Sequence, residues 1–406
     1  MRKINTRSFH LATRSTAREV NRQIVLNLVR EHQPISRADL ARRMGVARGS
    51  VTPLVKELLA DGLIYEGSIA ETSRGRKPTL LYVRTRDRLA VGIDVRFSRT
   101  SVILSDFGGR EIAVETFATP LDPAELTAEL GRRVVRLVET HADAGECEGV
   151  GLVVPGMVDR RTAVVLNAPT LGWRDVDLRA ALTAAVGLPV FIDRDAAACA
   201  MAHMWLSQAS GDGVDNFVYL TVSDGVGTSV VVNGEVLRGY RSTAGEFGHV
   251  PLSLDGPQCA CGARGCLEAY ASNRATLARY LGRDLSPPAA SAQQRGEGLE
   301  IPDLVARARS GDTAAAAALR DTGRYLGVGI ANIINSISPA RIVVGGEITA
   351  AWDLIEPAVQ ESLRERTLTA ASAATPVVVE AGDAYLRLRG ASALVVAPVF
   401  VAPRVA

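Results

Sequence analysis

Near the start of the chain the apolar positions fall into three helical runs. Val20, Ile24, Val25, Leu28 and Val29 recur at three- and four-residue intervals, which predicts an amphipathic helix ending near His32. Pro34 breaks that run. Ser36-Arg-Ala-Asp39 sets a hydroxyl three residues ahead of a carboxylate, a helix-start pattern, and Leu40, Ala41 and Met44 supply the inner face. Gly45 makes the turn. Val51, Leu54, Val55, Leu58 and Leu59 then define a third helix from about Arg48 to Ala60. Pro53 within it is tolerable only in the first turn, where its missing N–H has no partner.

Two short helices joined by a glycine turn fit a helix-turn-helix; a plain three-helix bundle is the alternative. Arg48, Ser50 and Thr52 lie in the first turn of the expected recognition helix, the end that enters the major groove. Ile64–Ser68 and Leu80–Val83 can pair as a wing hairpin. Its tip, Arg74-Gly-Arg76-Lys77-Pro78, is a thin cationic strip suited to a narrow minor groove.

From Leu89 onward the pattern alternates between strands and helices. Leu89–Asp94 and Thr100–Ser105 read as adjacent strands, followed by a turn at Asp106-Phe107-Gly108-Gly109. Leu126–His141 reads as a helix, and Gly149–Val154, Val190–Asp193, Phe217–Val222, Ser229–Val232 and Ile342–Val344 as strands. This order predicts an α/β architecture with a ligand cleft between lobes. Residues 283–300, rich in Pro, Ala, Ser and Gln, read as a loose surface loop. The expected division is a basic arm over 1–18, a winged helix-turn-helix over 19–85 and the α/β body over 86–406.

Charge changes the picture. The net charge of +2 hides an asymmetry: residues 1–86 carry 17 Lys and Arg against 7 Asp and Glu, and the remainder 29 against 37. A basic module on an acidic body is the footprint of a polyanion binder, with double-stranded DNA the first candidate. No apolar run approaches the roughly 20 residues that span a bilayer, and no apolar signal segment opens the chain, so a cytoplasmic protein without a membrane partner is expected. The first residues slightly suggest a transit peptide, but a basic arm is the preferred reading.

The richest chemistry lies at Glu246-Phe-Gly-His249 and Cys259-Ala-Cys261-Gly-Ala-Arg-Gly-Cys266-Leu-Glu268. Three of the 5 cysteines fall within eight positions, shortly after a histidine. Reduced, clustered thiols point to a metal, and three thiolates plus one imidazole complete a tetrahedral structural zinc site. Cys147 and Cys199 stand alone on expected core elements.

These two motifs together resemble the ROK family of bacterial sugar kinases and sugar-responsive repressors. The resemblance extends over about residues 89–400 and includes Gly151–Asp159, Leu171-Gly-Trp173, Asp193-Arg-Asp195-Ala, Gly225-Val-Gly227, Gly329–Asn332 with Pro339, and Gly345-Gly346. Asn21, Ser36–Ala41 and the basic wing are similar to the DNA-binding half of the family's repressors. The resemblance implies a two-lobed, actin-like sugar-kinase fold behind the winged helix-turn-helix. It implies that Asp195 matches the kinases' general base, that Glu246 and Glu268 accept hydrogen bonds from sugar hydroxyls, and that Gly156 and Arg194 line the same pocket. It also implies that His249, Cys259, Cys261 and Cys266 hold the zinc, with His249 facing the sugar as well.

Departures from the family pattern favour a regulator over an enzyme. Asp94-Val-Arg96-Phe97-Ser98-Arg99 replaces the kinases' glycine turn for phosphate, and Asp224 puts a carboxylate in the second phosphate loop. Arg194 and Thr170 stand where asparagines are usual, which suggests an altered ligand such as an acidic or phosphorylated sugar, with a pocket that no longer binds a sugar as the alternative. The expected function is a non-enzymatic repressor of carbohydrate metabolism, dimeric or tetrameric, released or tightened on DNA by a sugar. A DNA-binding sugar kinase and a regulator controlled by a protein partner are the alternatives.

Overall fold

The computed structural model describes residues 13–69, 79–208, 214–240, 242–285, 299–380 and 386–400. The first helix, α1, spans Arg14–His32 and starts earlier than the apolar spacing predicts, inside the segment expected to be an arm. A capping box between Thr13 and Thr16 starts it, and its first turn is polar, so hydrophobic periodicity could not mark it. Helix α2 (Arg37–Met44) begins at the Ser36/Asp39 box and ends at Gly45, whose φ of 65° is the left-handed conformation that a tight turn requires. Helix α3 (Arg48–Ala60) follows. Pro53 lies beyond its first turn, deeper than the sequence reading allowed. The carbonyl that it leaves without a donor belongs to Gly49, an exposed residue open to water.

Strands β1 (Ile35–Ser36), β2 (Ile64–Ile69) and β3 (Thr79–Val83) form the small antiparallel sheet of a winged helix, with β3 in the middle. Tyr65 and Tyr82 stack across the hairpin at 5.3 Å. The tip with Arg74, Arg76 and Lys77 lies outside the described residues.

Two five-stranded sheets build the body, and both have the same topology. The first comprises β4 (Arg88–Val95), β5 (Arg99–Asp106), β6 (Glu111–Ala118), β7 (Glu146–Val154) and, after the small strands β8 (Met157–Asp159), β9 (Val164–Ala168) and β10 (Trp173–Asp177), β11 (Val190–Arg194). Its order is β11-β7-β4-β5-β6. The second comprises β12 (Phe217–Val222), β13 (Val226–Val232), β14 (Glu235–Val236), β15 (Arg341–Gly345) and β16 (Val377–Val379), in the order β14-β13-β12-β15-β16. In each, three antiparallel strands are continued by two parallel ones beside the first. Each sheet has its own apolar core, one filled from Pro123–Thr140 and the other from the long helix Thr313–Ile337. Strand β12 is buried throughout, as expected of a central strand covered on both faces.

One helix belongs to neither lobe alone. Leu386–Val396 packs on β4, β7 and the helix Asp195–Gln208, and the chain then continues into the core of the winged helix. Val395, Val396 and Phe400 share that core with Val25, Leu26 and Val29 of α1. Among the described residues no helix is long and apolar enough to cross a membrane.

Candidate functional site

Helix α3 turns Val51, Leu54, Val55 and Leu58 inward, which leaves its opposite face to solvent. Arg48 and Ser50 are exposed and Thr52 half-buried, its hydroxyl donating to the Arg48 carbonyl at 3.0 Å. Ala47 caps the helix without a side-chain hydrogen bond, its carbonyl accepting from the Ser50 N–H at 3.0 Å, and the positive end of the helix dipole lies there. Arg43, Arg48 and Lys56 are exposed and carry no ion pair among the described residues. Arg43, on the last turn of α2, had no place among the residues predicted from sequence. Its exposure beside α3 was the missing signal.

The cleft opens between the two sheets, and loops from both lobes line it. Gly156, Thr170, Arg194, Asp195, Glu246, His249 and Glu268 meet there, joined by Arg96, Phe97, Asp224 and Arg387. Gly156 has φ of 97°, and a Cβ on it would come within 2.2 Å of the Asn167 carbonyl oxygen, so only glycine fits. Asp195 starts a helix, and its Oδ1 accepts from the Ala196 N–H at 2.7 Å. Glu268 Oε2 accepts from the Val226 N–H at 3.1 Å, which ties the cysteine loop to the rim of the second sheet.

Every arginine in the cleft is engaged. Arg194, only 4% exposed, pairs with Glu246 and donates to the Ala244 carbonyl at 2.6 Å. Burial pushes the Glu246 carboxyl up, against the pull of Arg194. Arg96 reaches Asp94 at 2.8 Å and crosses the cleft to Glu347 at 2.6 Å. Glu347 also accepts from Ser223 at 2.6 Å, and the Arg96 guanidinium and Ser223 hydroxyl hold its carboxyl at about 2 despite burial. Arg387 donates to Asp94 at 2.9 Å and to Asp195 at 3.1 Å. The Arg96 side chain thus ties β4 to the second lobe through Asp94 and Glu347.

His249, Cys259, Cys261 and Cys266 place one donor atom each within 4.8 Å of one another. The Sγ atoms of Cys261 and Cys266 are 3.8 Å apart, and Cys259 Sγ lies 3.7 Å from His249 Nδ1. A tetrahedral ion with Zn–S bonds of about 2.3 Å needs sulfur edges of about 3.8 Å, so this donor set fits such a cation. Burial pushes the Cys259 and Cys266 thiols up, and a cation is what would hold them as thiolates.

A two-lobed kinase-like body behind a winged helix-turn-helix is the architecture of a sugar-responsive DNA-binding regulator. Residues 90–397 match the ROK family and residues 23–66 the MarR family, and the chain belongs to the ROK family, in the branch that regulates transcription. The xylose repressor of Bacillus subtilis (strain 168) is 28% identical over 358 residues, 88% of this chain and 89% of its own length. The DNA-binding transcriptional dual regulator NagC of Escherichia coli (strain K12) is 28% identical over 364 residues, 89% of this chain and 88% of its own. The crystal structure of a ROK family transcriptional regulator, homolog of the E. coli MLC protein, superposes with a TM-score of 0.79 at 28% identity, covering 95% of this chain and 97% of the other. These relatives are regulators, not kinases.

Proposed function

We propose that the protein is a cytoplasmic repressor of genes for carbohydrate use, and that a neutral sugar in the cleft changes its grip on a double-stranded operator. Residues 19–85 read DNA and residues 86–406 bind the effector. Arg48, Ser50 and Thr52 enter the major groove, and Arg74, Arg76 and Lys77 of the wing follow the neighbouring minor groove. Two copies read a pseudo-palindrome through two-fold symmetry.

The observation that carries this reading is the contrast in charge. Arg43 on α2 and Arg48 on α3 are exposed and carry no ion pair among the described residues, while Arg96, Arg194 and Arg387 in the cleft are neutralised by carboxylates. Arginines already paired with carboxylates attract a further anion less, which favours a neutral sugar over the acidic or phosphorylated one that the sequence suggested. Asp195, Glu246 and Glu268 have lone pairs suited to hydroxyl donors, and two of the relatives carry the names xylose repressor and N-acetylglucosamine repressor, both after neutral sugars. His249, Cys259, Cys261 and Cys266 hold a zinc ion. Its role is structural: it fixes the loop that carries Glu246 and Glu268.

The test begins with DNA fragments that the purified full chain selects from a random library. Titration of D-xylose and of N-acetyl-D-glucosamine should shift the affinity for those fragments with one sugar at least, indifferent to ATP. Failure to select any DNA sequence would refute the repressor reading. Metal analysis should give one zinc per chain, and a Cys266→Ser protein that retains full zinc would refute the ligand set.

A further inference from the structure

We infer that the helix Leu386–Val396 transmits the state of the cleft to the DNA-binding domain, with Arg387 as the residue that reads Asp195. The inference rests on the proposed effector site and adds how occupancy of that site is communicated.

The helix touches both sites with its two ends. At its start, Arg387 bridges Asp94 of β4 and Asp195 at the head of the helix Asp195–Gln208, with contacts of 2.8 to 3.1 Å. At its end, Val395 and Val396 enter the core of the winged helix, and the following turn brings Phe400 in beside them. Gln23 and Asn27 of α1 donate at 2.8 Å each to the carbonyls of Val399 and Phe400. The Arg30 guanidinium lies over the Phe400 ring, 5.1 Å from its centroid. Helix α1 is in turn pinned to α3 through Arg18–Glu57 and to the residue that ends α3 through Arg22–Asp61. A helix of 11 residues spans about 16 Å, so a single rigid element connects the cleft floor to the support of the recognition helix.

The helix has little room to absorb a push by bending. A Cβ on Gly151 would lie 1.8 Å from the Ala391 carbonyl oxygen, and one on Gly390 would lie 2.7 Å from the Ala198 backbone. Ser392 Oγ accepts a hydrogen bond from the Ser105 hydroxyl at 3.1 Å. Backbones in such close contact move together.

Asp195 Oδ2 is the acceptor that Arg387 uses, and Asp195 itself lines the cleft. A sugar hydroxyl that takes this oxygen weakens the hold on Arg387, while Asp94 keeps the other edge of the guanidinium. The arginine then shifts toward Asp94, and the helix moves with it. Coupling of this kind is reciprocal: a change at the α1 end must appear at Asp195. A spatial path is not itself coupling, so the test perturbs one end and measures the other.

Hydrogen–deuterium exchange of the ligand-free full chain supplies that measurement. Arg387→Gln should speed exchange in α1 at least tenfold and leave β12 unchanged. Wild-type protection in α1 would overturn the inference. Equal loosening of α1 and β12 would also overturn it, since that is global loss of stability. Asn27→Ala, which leaves the cleft intact, should loosen the first turn of Leu386–Val396 and the start of Asp195–Gln208; unchanged protection at both would overturn the reciprocal coupling. On DNA selected by the wild type, Arg387→Gln should change affinity at least fivefold and Arg387→Lys less than twofold. An unchanged Arg387→Gln affinity overturns the inference. If the wild type selects no DNA, the proposed function fails instead, and the exchange results alone judge the transmission.

Discussion

Arginine serves opposite ends in the two halves of this protein. Arg43 and Arg48 leave their charge exposed and without an ion pair among the described residues, and in the cleft each guanidinium is paired with carboxylates, most of them far away in the chain. Free cations release counterions from a polyanion and gain from it, whereas paired ones set the shape and polarity of a pocket. The same residue type is thus exposed and unpaired at Arg43 and Arg48 and held in internal ion pairs at Arg96, Arg194 and Arg387. Composition alone cannot separate the two uses. Partners can.

The largest expected difference is in stability. Arg194→Ala leaves Glu246 without its partner in a mostly buried setting and should cost about 3 kcal/mol, while Arg48→Ala should stay within about 0.5 kcal/mol. Urea denaturation of the two variants measures this, and equal costs would erase the contrast. DNA binding should reverse the ranking. Loss of an arginine that reads guanine costs about 1–3 kcal/mol of discrimination, so Arg48→Ala should lose roughly tenfold or more of its preference for selected over random DNA. Fluorescence anisotropy with both DNAs decides the matter, and an unaltered preference would remove Arg48 from the groove.

Acid should act on the cleft by a smaller amount. Glu347 is held at about 2 in the folded protein, below the ordinary carboxylate value, so it stabilises above that ordinary value. The contribution is lost as pH falls from about 4.5 to about 2, where protonation frees Arg96. Glu347 is 36% exposed, which limits the effect to about 1 kcal/mol. A Glu347→Gln protein should therefore show a shallower loss of stability across that window, and a profile parallel to the wild type would show that the pair contributes nothing. The smallest effect belongs to Lys56. If it contacts one phosphate, Lys56→Ala should reduce the slope of log affinity against log salt by about 0.9, and an identical slope would place it outside the interface.

Local signals in the sequence were sufficient for much of this structure. The limits of α2 and α3 follow from Ser36, Asp39 and Gly45, because caps and turns are decided by neighbours. The cluster that could hold a metal ion was legible for the same reason, with its three cysteines in one loop. Strands β6 and β8 to β10 escaped notice because they are short or half-buried and carry no clean alternation. Leu386–Val396 escaped for the opposite reason: it is buried on nearly all sides, so its apolar residues have no period. The arginine pairs could not be read at all. Arg96 meets a carboxylate 251 positions away, and Arg387 meets two that are 293 and 192 positions away. Those distances explain why Arg194 invited an acidic ligand on paper and meets an internal one in space.

The shared core around Phe400 also bears on how the chain is made. Gln23 waits for a carbonyl synthesised 376 positions later, and the apolar face of α1 closes only when Val395, Val396 and Phe400 arrive. During translation the DNA reader therefore remains unfinished while the whole body is being built beneath it. Until those residues are made, the helix-turn-helix stands without part of its apolar core.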